Sequence, residues 1–154
     1  YGDHRDLHLS IRRQRQMCIR DRFINENANM GDLKGTLIEF CKQFFNVQDL
    51  KVRFRPSYFP FTEPSAEMDI AYEIVNNKIK LGQGDRWLEI LGCGMVNPIV
   101  LENCNVDTKN FQGFAFGMGL DRITMLKYGL TDIRSFFSGN LNWIANNGFS
   151  IGDF

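Results

Sequence analysis

The residues best suited to chemistry lie in the stretch Gly113-Phe-Ala-Phe-Gly-Met-Gly-Leu-Asp-Arg122. Gly117 and Gly119 carry no Cβ on one face of a predicted strand, so a ligand can approach the backbone closely there. The residues after Gly119 predict a helix whose free N–H groups and dipole favour an anion. Arg122 lies in the first turn of that helix, where a cation is unfavourable unless an anion binds beside it. The pattern predicts a phosphate site, with packing glycines and a solvent-exposed arginine as the alternative.

Two common nucleotide motifs are excluded at this stretch. A dinucleotide fingerprint requires a third glycine where Arg122 stands. A mononucleotide P-loop requires Gly-Lys-Ser or Gly-Lys-Thr, and neither occurs in the sequence. If the phosphate site exists, it therefore uses a different nucleotide-binding arrangement.

A second segment, Tyr58-Phe-Pro-Phe-Thr-Glu-Pro-Ser65, carries two phenylalanines two residues apart. On an extended strand Phe59 and Phe61 project to the same face about 7 Å apart, which suits a flat aromatic guest. Two core-facing rings would give the same spacing. Glu63 follows at the predicted strand end, where its carboxylate either binds a metal or an ammonium group or faces solvent.

A third segment, Trp87-Leu-Glu-Ile-Leu-Gly-Cys-Gly-Met-Val96, is an apolar strand that contains one carboxylate and two glycines. Burying a carboxylate is costly unless it is paired. Glu89 is therefore predicted either to face solvent or to have a cationic partner such as Arg122 or a metal. Glycines or aromatic residues in three separate strands favour a binding site on one face of a sheet.

Composition limits the class of protein. The chain has 154 residues, 44% of them hydrophobic, and a formal net charge of zero, which predicts one globular domain. We find no apolar run long enough for a bilayer and no signal-peptide pattern, so a cytoplasmic location without membrane contact is expected. The cysteines lack paired spacing, which predicts reduced, small apolar fillers and no zinc site. They are Cys18, Cys41, Cys93 and Cys104.

The segment Ile11 to Arg22 holds five arginines and one aspartate, Asp21. Such a run is either an RNA-contacting arm or a solvated segment, and it lacks the interleaved aromatic residues that stack on bases. His4 and His8 have the spacing of ligands on one helical turn, but no third ligand is evident. We predict surface histidines.

From Phe23 onward the pattern of elements is regular and predicts an α+β fold with an antiparallel sheet. Asn29 is predicted to cap a helix over Met30 to Phe45. The elements expected after it are a strand over Leu50 to Phe61 interrupted at Pro56, a hairpin of Lys78 to Leu81 with Trp87 to Val96, a short helix or loop over Val100 to Val106, a strand over Phe111 to Gly119, and a helix over Leu120 to Tyr128 ended by Gly129.

The three segments, in this order, closely resemble the catalytic domain of the bacterial phenylalanyl-tRNA synthetase alpha-subunit family, among the class II aminoacyl-tRNA synthetases. The resemblance runs from about Phe23 to about Phe149, and the stretch from Tyr128 to Phe137 agrees with it. It implies part of a class II synthetase domain, an antiparallel sheet flanked by helices. It also implies activation of phenylalanine by ATP with Mg²⁺, transfer to tRNA(Phe), and a beta subunit in an alpha2-beta2 heterotetramer.

Site residues follow from this resemblance. Phe59 and Phe61 match the residues that recognise the phenylalanine ring, and Ala115, with Gly117 nearby, matches the base of that pocket. Glu63 matches a magnesium-binding glutamate. Arg122 matches the catalytic arginine that binds the triphosphate, and we predict that Glu89 and Gly119 belong to the ATP site.

The resemblance fails upstream of Phe23, where the second class II motif is expected and Ser10 to Arg22 shows neither that motif nor strand alternation. Our hypothesis is that residues 1–22 are a non-native segment, from a frameshift or a translated adapter, preceding a catalytic core over 23–154. Without the upstream motifs this fragment alone is expected to be inactive. Two alternatives are a non-catalytic paralogue and an RNA-binding module that acts through Ile11 to Arg22.

Overall fold

The computed structural model describes residues 19–76, 78–130 and 132–146. Its elements are β1 (Ile19–Asn25), α1 (Met30–Phe45), β2 (Val52–Phe59), β3 (Thr62–Val75), β4 (Lys78–Leu81), β5 (Arg86–Val96), α2 (Pro98–Asn103), β6 (Gln112–Met118), α3 (Leu120–Lys127), a 3₁₀ helix (Ile133–Phe137) and α4 (Leu141–Asn146). The predicted α+β class is confirmed. The histidines at positions 4 and 8, Cys18 and most of the arginine run lie outside the described residues.

The strands form one antiparallel sheet in the order β1-β6-β5-β3-β2, and β4 pairs with the end of β3 that extends past β2. β3 is an interior strand, with β5 on one edge and β2 and β4 on the other, and the sequence analysis placed no strand there. Its residues Met68–Ala71 are all buried, so the alternation that marks a half-exposed strand is missing. One of these four is Asp69, whose buried carboxylate is hydrogen-bonded to Arg53 and Arg55 of β2.

The predicted hairpin of β4 with β5 is wrong. Both strands pair with β3 instead, on its two opposite edges, and Tyr72 pairs with Leu81 of β4 and with Arg86 of β5. The intervening turn crosses the end of β3, and two of its glycines have positive φ, +95° at Gly82 and +103° at Gly84. A Cβ at Gly84 would lie 2.5 Å from the Tyr72 carbonyl oxygen. Glycine is required there by backbone approach rather than by hairpin geometry.

The helix predicted over Met30–Phe45 is confirmed, with the same boundaries. The Asn29 side chain accepts hydrogen bonds from the N–H groups of Gly31 and Asp32, and the Asp32 carboxylate accepts one from the Asn29 N–H. This reciprocal capping box satisfies backbone donors that a helix start otherwise leaves free. The buried stripe Leu33, Leu37 and Cys41 then packs against the sheet.

The hydrophobic core lies between the sheet and helices α1 and α3. It includes residues from α1 (Leu33, Leu37, Cys41), β3 (Met68, Ile70), β5 (Ile90, Leu91, Cys93), β6 (Phe114, Met118) and α3 (Ile123, Met125, Leu126). Burial raises the pKa of the Cys41 thiol to about 12 and that of Cys93 to about 11, so both stay protonated at neutral pH. Cys104 is exposed, which corrects its prediction as an apolar filler.

Two further expectations are corrected. Residues 19–22 form the first half of β1, an edge strand paired with β6, although no strand was predicted upstream of Phe23. Backbone pairing to β6 needs no alternation of side chains. Pro56 does not interrupt β2, because β2 is an edge strand where a missing N–H is tolerated; the irregularity lies between Ser57 and Phe59. In the described part of the chain, every helix is too short or too polar to cross a bilayer.

Candidate active site

One face of the sheet carries the predicted site residues. Directly opposed residues of antiparallel strands project to the same face. Glu67 of β3 opposes Gly92 of β5, which opposes Gly117 of β6. The neighbouring row on the same face consists of Ser65, Gly94 and Ala115. We call this the open face, since helices α1 and α3 cover the other one.

A cavity of about 270 Å³ lies over the small residues of the open face. All four residues predicted to bind phenylalanine line it: Phe59, Phe61, Ala115 and Gly117. The remaining lining residues, which sequence reasoning did not assign, are Asp21, Arg22, Thr62, Gly92, Cys93, Val96, Val100 and Phe116. Its apolar walls and glycine floor suit a flat hydrophobic group.

The two phenylalanines reach the cavity by a different route from the one predicted. Phe59 ends β2 and pairs with Thr62, so Pro60 and Phe61 form the two-residue turn of the β2–β3 hairpin. The two rings are thus on a strand end and a turn, and strand periodicity does not set their separation. The ring of Phe59 lies over Gly92, where a Cβ would be 2.6 Å from its Cζ atom.

Hydroxyl groups hold this hairpin in shape. The Ser65 hydroxyl donates to the Thr62 carbonyl oxygen at 2.6 Å and lies 2.7 Å from the Thr62 Oγ1 atom. The Phe59 N–H donates to the same Ser65 oxygen at 3.4 Å. Gly94 packs under this turn, where a Cβ would lie 2.6 Å from the Pro64 carbonyl oxygen. The turn that carries both rings is therefore fixed by short local contacts.

Arg122 and Glu89 lie together next to the cavity. Arg122 Nη1 donates to the Glu89 carbonyl oxygen at 2.9 Å and lies 3.4 Å from the Glu89 Oε1 atom. Both side chains are more than two-fifths exposed, so the ion pair is weak and its guanidinium is available to a ligand. Among the described residues, only Glu89 accepts a hydrogen bond from Arg122.

A β-bulge brings Glu89 to the open face. Asp69 opposes Glu89 and Met68 opposes Leu91, so Ile90 is one extra residue in β5. Without it, Glu89 and Gly92, three positions apart, would project to opposite faces. With it, both lie on the open face, opposite Asp69 and Glu67, which are two strand steps or roughly 7 Å apart.

The start of α3 lies beside this pair. Gly119 is its N-cap and provides no side-chain acceptor for the first-turn N–H groups. Asp121 supplies one negative charge in the first turn. The first turn of α3 thus combines uncapped N–H groups with Arg122, and phosphate binding there stays a prediction.

Glu63 does not belong to this arrangement. Its side chain is exposed and makes no hydrogen bond to the described residues, and it follows Thr62, which opposes Val96. Val96 and Glu89 are seven positions apart on β5 with one bulge, which separates Glu63 from Arg122 by roughly 20 Å. The described residues also contain no cluster of three histidine, cysteine, aspartate or glutamate side chains for a metal. The register therefore places Glu63 away from the Arg122–Glu89 pair, and magnesium binding by Glu63 stays a prediction.

An ion cluster that sequence reasoning missed anchors β2 to β3 on the open face. The carboxylate of Asp69 accepts from Arg53 Nε at 2.7 Å and from Arg55 Nε and Nη2 at 2.6 and 2.9 Å. Arg55 also pairs with Glu67 at 2.9 Å. The hydrogen bonds from Arg55, and then those from Arg53, hold the pKa of Asp69 below its usual value despite burial. The sequence pattern that could have predicted this cluster is the pair Arg53-x-Arg55 together with Asp69, a single carboxylate among the apolar residues Met68, Ile70 and Ala71.

Comparisons with known proteins show the family of this chain. The pattern of the family described as "tRNA synthetases class II core domain (F)" matches residues 17–147. The phenylalanine–tRNA ligase alpha subunits of Beijerinckia indica and Rhodospirillum centenum are each 57% identical over 126 residues, which cover 82% of this chain and 35% of the relative. That of Rhodospirillum rubrum is 56% identical over 127 residues, 82% of this chain and 36% of the relative.

The chain thus spans about a third of the length of the curated relatives it matches. The family match covers the whole described sheet, including β1, and the open face with its cavity and arginine. Both the family match and the antiparallel sheet agree with the resemblance found in the sequence. The chain belongs to the class II core-domain family of tRNA synthetases.

Proposed function

We propose that this chain is part of a phenylalanine–tRNA ligase alpha subunit, which joins phenylalanine to ATP as an adenylate and transfers it to tRNA(Phe). One observation carries the proposal. The aromatic-walled cavity and the Arg122–Glu89 pair lie on the same face of the sheet, and Glu89 lies roughly 7 Å along β5 from Gly92 of the cavity. A phenylalanine side chain in the cavity and phosphates at Arg122 would therefore be neighbours on one surface.

The cavity is the proposed site for the phenylalanine side chain. Phe59 and Phe61 offer ring contacts, which add about 0.5–1.5 kcal/mol beyond the burial of apolar area. Ala115 and Gly117 have little or no side chain on the cavity floor, so a benzyl group can approach the backbone of β6. A para substituent on the ring would extend toward this floor.

Arg122 is the proposed phosphate-binding residue, together with Gly119 at the start of α3 and Glu89 beside it. In the reaction, a carboxylate oxygen of phenylalanine forms a bond to the α-phosphorus of ATP, and the bond from that phosphorus to the pyrophosphate oxygen breaks. Catalysis of such a step rests on alignment and on neutralising charge on the phosphates. Arg122 supplies positive charge, and Glu89 fixes the position of its guanidinium.

The remaining assignments concern cofactor, partners and location. ATP is the second substrate, and Mg²⁺ is the expected cofactor of the family. Because Glu63 is remote from Arg122, none of the steps proposed here passes through a metal at Glu63. The name "alpha subunit" of the relatives supports a beta subunit as partner. We further propose an alpha2-beta2 assembly that acts on tRNA(Phe) in the cytoplasm.

The test uses a chimeric enzyme, in which the matched segment of this chain replaces its counterpart in the Rhodospirillum rubrum alpha subunit, assembled with the beta subunit. Phenylalanine-dependent exchange between ATP and pyrophosphate is measured. Hydrogen bonds to charged groups contribute about 1.5–3 kcal/mol each, so losing two in Arg122→Ala lowers exchange about 10²- to 10⁴-fold. Arg134→Ala is the matched control, because this exposed arginine pairs only with Asp132 among the described residues.

Three outcomes separate the possibilities. Exchange that falls in Arg122→Ala and stays within twofold in Arg134→Ala supports the assignment. Wild-type exchange in Arg122→Ala removes Arg122 from the site. A well-assembled chimera without exchange, before any substitution, contradicts the proposed function and favours a non-catalytic paralogue.

A further inference from the structure

We propose that Gly92 is a specificity-determining residue, which sets the width of the ring cavity by leaving room for the tip of the Phe59 ring over β5. The inference rests on the proposed function, since it concerns which amino acid the cavity accepts. Sequence reasoning noted Gly92 as one of two glycines on a strand face and gave it no role.

The contact between Gly92 and Phe59 is unusually close. A Cβ built on Gly92 would lie 2.6 Å from Phe59 Cζ, 3.0 Å from Cε2 and 3.5 Å from Cε1. Carbon atoms in good contact are about 3.5–4.0 Å apart. An alanine at position 92 therefore requires the tip of the Phe59 ring to move by roughly 1 Å.

In Gly92→Ala we expect the Phe59 ring to move rather than the sheet. Gly92 is held in the sheet on both sides, opposite Glu67 of β3 and Gly117 of β6. Phe59 is the last residue of an edge strand, and the atoms in conflict are the far end of its side chain. Because both residues line the cavity, displacement of the ring away from β5 narrows the space for a substrate ring.

Other sheet glycines differ from Gly92 in this respect. A Cβ at Gly94 would meet the Pro64 carbonyl oxygen at 2.6 Å, and a Cβ at Gly113 would meet the Phe23 carbonyl oxygen at 2.8 Å. Those neighbours are backbone atoms, so alanine at either position disturbs the fold. Only at Gly92, of these three, is every near atom part of a cavity-lining side chain.

The experiment introduces Gly92→Ala into the chimeric enzyme described above and measures the KM values for phenylalanine and for ATP in pyrophosphate exchange. We expect the KM for phenylalanine to rise about 10- to 100-fold, in the range that one misplaced methyl group produces. The KM for ATP should stay within twofold. Gly35→Ala is the control, because a Cβ on Gly35 in α1 meets nothing within 4 Å.

Phe59→Leu provides a second, independent readout. Leucine lacks the ring tip that conflicts with a Cβ at position 92, so Gly92→Ala should change the KM for phenylalanine less than threefold in that background. Discrimination between phenylalanine and para-chlorophenylalanine should also shift toward phenylalanine in the single Gly92→Ala variant.

The outcomes are separable from those of the proposed function. Suppose that the unsubstituted chimera exchanges pyrophosphate normally. If Gly92→Ala then has the same effect in the parent and in the Phe59→Leu background, or no effect in either, the role of Gly92 is refuted. A parallel rise in both KM values also refutes it, because that result indicates general damage to the fold. Absence of phenylalanine-dependent exchange in the unsubstituted chimera instead contradicts the proposed function.

Discussion

Replacing the buried carboxylate of Asp69 by an amide tests how β2, and with it the Phe59 ring, is held on the sheet. Asp69 is 1% exposed and accepts three hydrogen bonds from two guanidinium groups. In Asp69→Asn the shape is kept, but the negative charge is lost. One amide oxygen then replaces two carboxylate oxygens, and the amide N–H groups face the donors of Arg53 and Arg55.

The expected magnitude follows from these contacts. Removing one partner of a buried ion pair costs about 3–5 kcal/mol. Here the Arg53 and Arg55 side chains are 43% and 41% exposed, so water compensates part of the loss. We therefore expect the free energy of unfolding to fall by about 2–4 kcal/mol, since each lost charge-assisted bond is worth about 1.5–3 kcal/mol.

The assay is urea unfolding of the chain followed by fluorescence. With a slope of about 2 kcal/mol per molar urea, in the middle of the usual range, the midpoint should drop by about 1–2 M. Asp132→Asn is the matched control, because Asp132 pairs with an arginine that is 88% exposed, so the loss of this pair should shift the urea midpoint much less. Equal shifts in both variants, or none in Asp69→Asn, would refute the reasoning that burial makes the Asp69 cluster important.

Three further predictions can be checked with the same materials. The pKa of Asp69 is lower in the folded chain than its unfolded value of about 3.9, so the stability that this carboxylate contributes is complete above about pH 4 and is lost as the pH falls through the folded pKa. The difference in free energy of unfolding between the parent and Asp69→Asn should therefore shrink in acid. A constant difference from about pH 7 to about pH 2 would contradict this. Ala115→Gly should deepen the cavity floor and admit para-chlorophenylalanine in the chimeric enzyme, whereas unchanged discrimination would count against Ala115 as the floor. Gly84→Ala should destabilise the chain by at least about 1 kcal/mol in urea unfolding, since its φ is +103° and a Cβ would meet the Tyr72 carbonyl oxygen, while Gly35→Ala should be neutral or slightly stabilising.

Local signals in the sequence were sufficient for some elements. Helix α1 was predicted with its observed boundaries because Asn29 and Asp32 cap it, and because Leu33 and Leu37 mark its buried stripe. Pairing between distant strands was not predictable in the same way. The turn containing Gly82 resembles a hairpin turn, but it crosses from one edge of β3 to the other.

In the candidate site, too, residue identities were predictable from the sequence, whereas contacts between distant strands were not. The resemblance to a known family supplied Phe59, Ala115 and Arg122, and the structure brings these residues to one face. The contact between Phe59 and Gly92 depends on how an edge strand packs over a central one, and a sequence pattern carries no information about that distance. The separation of Glu63 from Arg122 likewise becomes visible only with the sheet register.

The extra residue Ile90 has a consequence for how this surface can change. It shifts the alternation of β5 by one position. Glu89, before Ile90, contacts Arg122, and Gly92, after Ile90, lines the ring cavity. Substitutions after Ile90 can therefore retune the choice of amino acid while the nucleotide side keeps its geometry. Deleting Ile90 would turn the side chains of one half of β5 to the opposite face of the sheet. The proposed amino-acid and phosphate sites would then no longer lie on the same face.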